Sequence, residues 1–82
     1  MISITNNEVF NKVKAIIADK LAVDENTITR DSSFVNDLKA DSMDILDLVS
    51  GFEEEFDITI PDEKGRTFET VGEAVDYLAG LL

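Results

Sequence analysis

Apolar positions along the chain fall into three helical stripes, separated by stretches with no sustained period. Val9, Val13, Ile16, Ile17 and Leu21 recur at three- and four-residue spacing, which marks an amphipathic helix with one buried face. Ile4-Thr5-Asn6-Asn7-Glu8-Val9 supplies its start: Thr5 and Glu8 fit a capping box, while Ile4 and Val9 fit a hydrophobic staple. A second stripe of Ile45, Leu48, Val49, Phe52 and Phe56 predicts a helix from about Asp41 to Phe56. Asp41 suits its N-cap, because a carboxylate accepts the N–H bonds the first turn leaves unpaired. Asp44 falls at N3, where the helix dipole favours negative charge. Ser42 is then the first residue inside the helix, exposed at a loop–helix corner. Thr70-Val71-Gly72-Glu73 is another capping box, opening a last helix with Val71, Ala74, Val75, Leu78 and Leu81 inward.

The segment from about Ala22 to Ala40 lacks periodicity. A loop of that length is usually functional or pinned to the body of its domain. Val23, Ile28, Phe34, Val35 and Leu38 are its candidate anchors, and Asp31-Ser32-Ser33 reads as a turn. After Phe56, Pro61 suits the first turn of a short helix over Asp62-Glu63-Lys64-Gly65-Arg66-Thr67. Gly65 weakens that helix by about 1 kcal/mol relative to alanine. The expected fold is all-α: a small four-helix bundle with three main helices, one short helix and a long first loop, forming a single domain over residues 1–82.

Composition narrows what such a bundle does. Hydrophobic residues make up 44% of the 82, enough for a core, although a chain this short buries only about 60% of its unfolded surface. Lys and Arg number 7 against 18 Asp and Glu, a formal net charge of −11. Such a field repels nucleic acid and anionic membranes and steers the protein toward basic partners. There is no cysteine for disulfides or thiolate metal sites. No signal-peptide pattern opens the sequence, and no apolar run approaches the ~20 residues that span a membrane. The expectation is a cytoplasmic protein without membrane insertion.

Catalytic constellations fail on inventory. Histidine and cysteine are both absent, so neither a Ser–His nor a Cys–His pair forms. No serine is followed three residues later by lysine, and no Gly-rich phosphate loop is present. The protein reads as no enzyme. Asp37, Asp41, Asp44 and Asp47 are hard oxygen ligands, but their spacing departs from the EF-hand loop, so no dedicated metal site is expected. Taken alone, Ser42 reads as a small polar residue in a helix's first turn, with covalent modification by another enzyme as the alternative. An anion attached there would sit at a helix N-terminus, a favoured position.

The order of segments carries a family resemblance. Asp37-Leu38-Lys39-Ala40 followed by Asp41-Ser42-Met43, then Glu53-Glu54-Glu55-Phe56 and Ile60-Pro61-Asp62-Glu63, resembles a bacterial acyl carrier protein from about Val13 to Tyr77 without a gap. The resemblance implies that Ser42 bears a covalent 4′-phosphopantetheine derived from coenzyme A, on whose thiol growing acyl chains are held as thioesters. It implies that Asp41, Asp44, Asp47 and Glu54, with Met43 and Leu46 beside them, dock basic patches. Those patches belong to a phosphopantetheinyl transferase and to acyl-chain synthesis or transfer enzymes. It also implies an acyl pocket lined by Phe34, Leu48, Phe52, Ile60 and Phe68, in a monomer serving fatty acid biosynthesis.

This chain departs from the family pattern in several places. Phe52 and Phe68 replace smaller aliphatic residues, which narrows the expected pocket and favours short or medium chains. Lys39 stands for a usual glycine, Met43 for a leucine and Ser50 for an apolar residue, and Gly65 weakens the short helix. A specialised carrier for polyketide, lipid-A or D-alanyl transfer is the near alternative. An unmodified acidic interaction module is the alternative from another class.

Overall fold

The computed structural model describes residues 5–82 and holds four α-helices: α1 (Asn6–Leu21), α2 (Ser42–Phe56), α3 (Asp62–Gly65) and α4 (Val71–Leu81). A 3-10 turn at Glu25–Thr27 lies within the first connection. This is the expected all-α bundle with one short helix. α1 packs against both α2 and α4, and α3 lies on α2. Among the described residues, no helix is long and apolar enough to cross a membrane.

Each long helix begins with a polar side chain that accepts an otherwise unpaired N–H. Thr5 Oγ1 accepts from Glu8 N–H at 3.1 Å to start α1. The expected staple partner, Ile4, lies outside the described residues. At α4 the box is reciprocal: Glu73 N–H donates to Thr70 Oγ1 (3.3 Å), and Glu73 Oε2 accepts from Thr70 N–H (3.1 Å). The same oxygen accepts from Glu69 N–H at 2.6 Å. These backbone donors hold the Glu73 carboxyl below the usual glutamate range. α1 and α2 end at left-handed residues, Ala22 (φ 56°) and Asp57 (φ 54°). The N–H groups that follow them bond back to Ala18 O and Glu53 O, each at 3.2 Å.

The stripes supply one continuous core. Val9, Val13 and Ile17 from α1, Leu48, Val49 and Phe52 from α2, and Val71, Ala74, Val75 and Leu78 from α4 are all buried. Ile16 and Leu21 pack at its margin. Leu81, expected inward, is instead 46% exposed in the last turn of α4.

The long connection is fastened rather than free. Ile28, Phe34, Leu38 and Ala40 are buried, and Val23 packs against the core. Val35, expected as an anchor, is 59% exposed: in the turn that follows Ser33, Phe34 takes the inward position and Val35 faces out. The backbone here crosses the entry to α4. Val71 N–H donates to Ser32 O (3.0 Å), Gly72 N–H to Arg30 O (2.8 Å), and Phe34 N–H to Glu69 O (3.0 Å). Ser33 and Thr70 form an isolated antiparallel bridge at this crossing. Two N–H groups that a helix start leaves orphaned are thereby satisfied by loop carbonyls.

Two glycines mark where backbones come closest. A Cβ at Gly72 would stand 3.0 Å from Arg30 O, and one at Gly65 would stand 2.7 Å from Val49 Cγ2. Gly65 is buried and lets α3 settle on α2, so its role is packing rather than the simple loss of helix propensity expected from the sequence.

Alanine substitutions separate these effects. Propensity alone would stabilise each variant by up to about 1 kcal/mol, whereas overpacking costs about 1–3 kcal/mol. Gly72→Ala and Gly65→Ala should each destabilise by about 1 kcal/mol in urea titrations. Gly80→Ala, with open space at its Cβ, should be neutral or stabilise slightly. Stabilisation by all three would show that the close approaches do not constrain the fold.

Candidate functional site

The candidate site is built at the entry to α2. Asp44 N–H donates to Asp41 Oδ1 at 2.9 Å, and Asp41 N–H donates to Asp44 Oδ2 at 3.1 Å. The two acids therefore close a full capping box, with Asp44 doing more than the expected dipole interaction. The box brackets Ser42 and Met43. Ser42 is exposed at the first helical position, and among the described residues its hydroxyl makes no hydrogen bond. An O–H in that setting is presented to solvent rather than consumed locally.

The preceding loop sets the direction of entry. Ser33 N–H donates to Asp37 Oδ2 (2.7 Å) and Asn36 N–H to Ser33 Oγ (3.1 Å), fixing a turn over 33–38. Ala40 N–H then donates to Phe34 O at 2.8 Å. Between them Lys39 holds φ at 58°, a left-handed conformation that glycine adopts without steric penalty. The expectation of a lysine in a glycine's position thus has a backbone counterpart. Its side chain is exposed close before the serine.

Beyond Ser42 the exposed face of α2 combines apolar and acidic groups. Met43 is 76% exposed and Leu46 is half-buried. Asp47 is exposed but already meets Lys20 Nζ at 3.3 Å. The Lys20 stem lies over Gly51, where a Cβ would come 2.7 Å from Lys20 Cε. The three consecutive glutamates divide their work. Glu53 Oε2 accepts from Ile60 N–H at 2.9 Å, Glu55 meets Lys12 at 3.5 Å, and Glu54 points outward without an ion pair among the described residues. Asp41, Asp44, Asp47, Glu54, Met43 and Leu46 thus all reach solvent, though Asp47 shares its charge with a cation of its own chain. Among the described residues, no three acids converge as a metal-holding group.

Beneath this face lies an apolar void of about 170 Å³, lined by Phe34, Ile45, Leu48, Val49, Phe52 and Phe68, with no part wide enough for a water molecule. Phe34, Leu48, Phe52 and Phe68 are the expected lining. Ile60 is buried but does not line the void. Ile45 and Val49 do, and both belong to the same helical stripe as Leu48 and Phe52, the signal by which the sequence could have marked them.

Comparison with known proteins agrees with this geometry. The sequence profile of the family described as "Phosphopantetheine attachment site" matches residues 11–78. The chain is 51% identical over 74 residues to an acyl carrier protein of Picosynechococcus sp., covering 90% of this chain and 91% of that one. It is 52% identical over 69 residues to an acyl carrier protein of Clostridium perfringens, covering 84% and 91%. An exposed serine capped by two acids at a helix start, an acidic face beside it, and similarity spanning the bundle lead to one assignment: the chain belongs to the phosphopantetheine-binding family of acyl carrier proteins.

Proposed function

We propose that this protein carries growing acyl chains for fatty acid biosynthesis on a 4′-phosphopantetheine arm esterified to Ser42. The observation that carries the reading is the free Ser42 hydroxyl at the first position of α2, inside the Asp41–Asp44 capping box. The residues suit the group. A phosphodiester on Ser42 would lie at the positive end of a fifteen-residue helix. The arm supplies the thiol that bears the acyl group, and the protein supplies position, recognition and shelter.

The rest of the site fits a carrier better than a catalyst. The carboxylates beside Ser42 are engaged with backbone N–H groups, and none bonds its hydroxyl among the described residues, so a transferase has to activate it. The acids on α2 and the net charge of −11 favour fast, salt-sensitive encounters with basic enzyme surfaces over tight complexes. That suits a shuttle that must leave each partner, a phosphopantetheinyl transferase first and acyl-chain enzymes afterwards. Asp41, Met43, Asp44, Leu46, Asp47 and Glu54 form the docking surface. Phe34, Leu48, Phe52 and Phe68, with Ile45 and Val49, enclose the shelter for the chain. The working unit is a single-domain monomer in the cytoplasm.

Intact-mass measurement tests the attachment. After incubation with coenzyme A, Mg²⁺ and a broad-specificity phosphopantetheinyl transferase, wild type should gain one phosphopantetheine and Ser42→Ala none. A gain on both would place the attachment elsewhere. No gain on folded wild type would favour an unmodified acidic interaction module.

A further inference from the structure

The void beneath α2 has no room for a water molecule, and one of its walls is built differently from the rest. Ile45, Leu48, Val49 and Phe52 project from α2, a continuous helix with a reciprocal cap. Phe34 is buried, and its backbone is bonded on both sides, donating to Glu69 O at 3.0 Å and accepting from Ala40 N–H at 2.8 Å. Phe68 has no such support. It sits in the connection between the four-residue α3 and α4, and its N–H reaches Gly65 O only at 3.4 Å. What backs it is a side-chain stack. The Phe68 and Tyr77 rings lie 5.6 Å apart, tilted by 58°. Lys64 Nζ stands 5.0 Å from the Tyr77 centroid and 6.0 Å from that of Phe68.

We infer that Tyr77, capped by Lys64, is a positioning residue that latches Phe68 against the void and thereby limits the length of acyl chain the protein shelters. The inference rests on the carrier reading and adds the chain-length control of its shelter. The space between these side chains does not admit even a water molecule, so an acyl chain enters only when a wall moves. Moving Phe34 would break backbone hydrogen bonds, and moving the α2 residues would disturb the helix. Moving Phe68 breaks one ring pair and one cation–ring contact, each of them weak and partly exposed. Phe68 is the wall that yields. A short chain needs little displacement, while a longer one has to part Phe68 from Tyr77. The face geometry of the Tyr77 ring, not its hydroxyl, does this work, because no hydrogen bond involves that hydroxyl among the described residues.

The test uses full-length protein loaded on Ser42 with butyryl, hexanoyl, octanoyl and decanoyl 4′-phosphopantetheine transferred from the corresponding acyl-coenzyme A, loading being verified by intact mass. Wild type, Tyr77→Phe, Tyr77→Leu and Lys64→Met are compared by thioester cleavage with hydroxylamine and by melting temperature against the unacylated holo form. In wild type, protection should level off among the shorter chains. In Tyr77→Leu it should extend to octanoyl and decanoyl, with cleavage slowed by between about two- and tenfold relative to wild type, the range set by losing one aromatic pair. Tyr77→Phe should match wild type, and Lys64→Met should shift partway. Equal chain-length profiles in all four proteins would overturn the latch while leaving the carrier reading intact. Should Tyr77→Leu not fold, an unchanged profile in Lys64→Met overturns it. Absence of loading in the mass spectrum overturns the carrier reading itself, and the latch with it.

Discussion

The functional corner depends on the backbone of residues 30–34 crossing the start of α4. Without it, a connection of nearly twenty residues would hang between α1 and α2 with little to define where the second helix begins. The crossing satisfies both partners at once. Val71 and Gly72, whose N–H groups have no acceptor within their own helix, donate to Ser32 O and Arg30 O, and Phe34 N–H donates to Glu69 O. With Phe34 held inside the core, its carbonyl accepts from Ala40 N–H, and the chain arrives at Asp41 in an extended conformation suited to an N-cap. The position of Ser42 follows from a strap whose partners, Glu69, Val71 and Gly72, lie more than twenty-five residues from it in sequence. Gly72 has no side chain because the strap lies where one would go.

Charge acts on a second level. A protein with a net charge of −11 gains little from the three ion pairs among the described residues, Lys12–Glu55, Lys20–Asp47 and Arg30–Asp76, since all are substantially exposed. The acids that matter for structure accept backbone N–H groups instead. Glu73 takes two, Asp41 and Asp44 exchange theirs, Asp37 fastens a turn, and Glu53 holds Ile60. That leaves Glu54, and the outer edges of the α2 acids, turned toward solvent as a local negative field.

Much of this was legible in the residues because the helices announce themselves locally. Capping pairs three residues apart and stripes of period 3.6 are properties of neighbouring positions, so the Asp41 cap and the Thr70–Glu73 box could be read directly, while the return bond from Asp41 N–H to Asp44 emerged only in the fold. The strap could not, since it joins Arg30 and Ser32 to Gly72 and Val71 through backbone atoms that every residue possesses. Val35 and Phe34 look equivalent in an aperiodic loop; only the turn closed by Asp37 decides which one points inward. Gly65 illustrates the same limit, because propensity sees a weak helix former and the contact with Val49 is invisible until the chain is folded. Ser42 stood out as the first residue of a capped helix, and the likeness of the whole segment order to carrier proteins is what suggested the role proposed for it. The Tyr77–Phe68 stack behind the void had no local signature at all.

Native-state amide hydrogen exchange at Phe34, Ala40, Val71 and Gly72 tests the strap most directly. If it holds the corner, these amides exchange only through global unfolding, with the same protection as Val13 and Ile17 in the middle of α1. Exchange orders of magnitude faster than at Val13 and Ile17 would mean that the crossing opens on its own, and that something other than the strap sets the entry to α2.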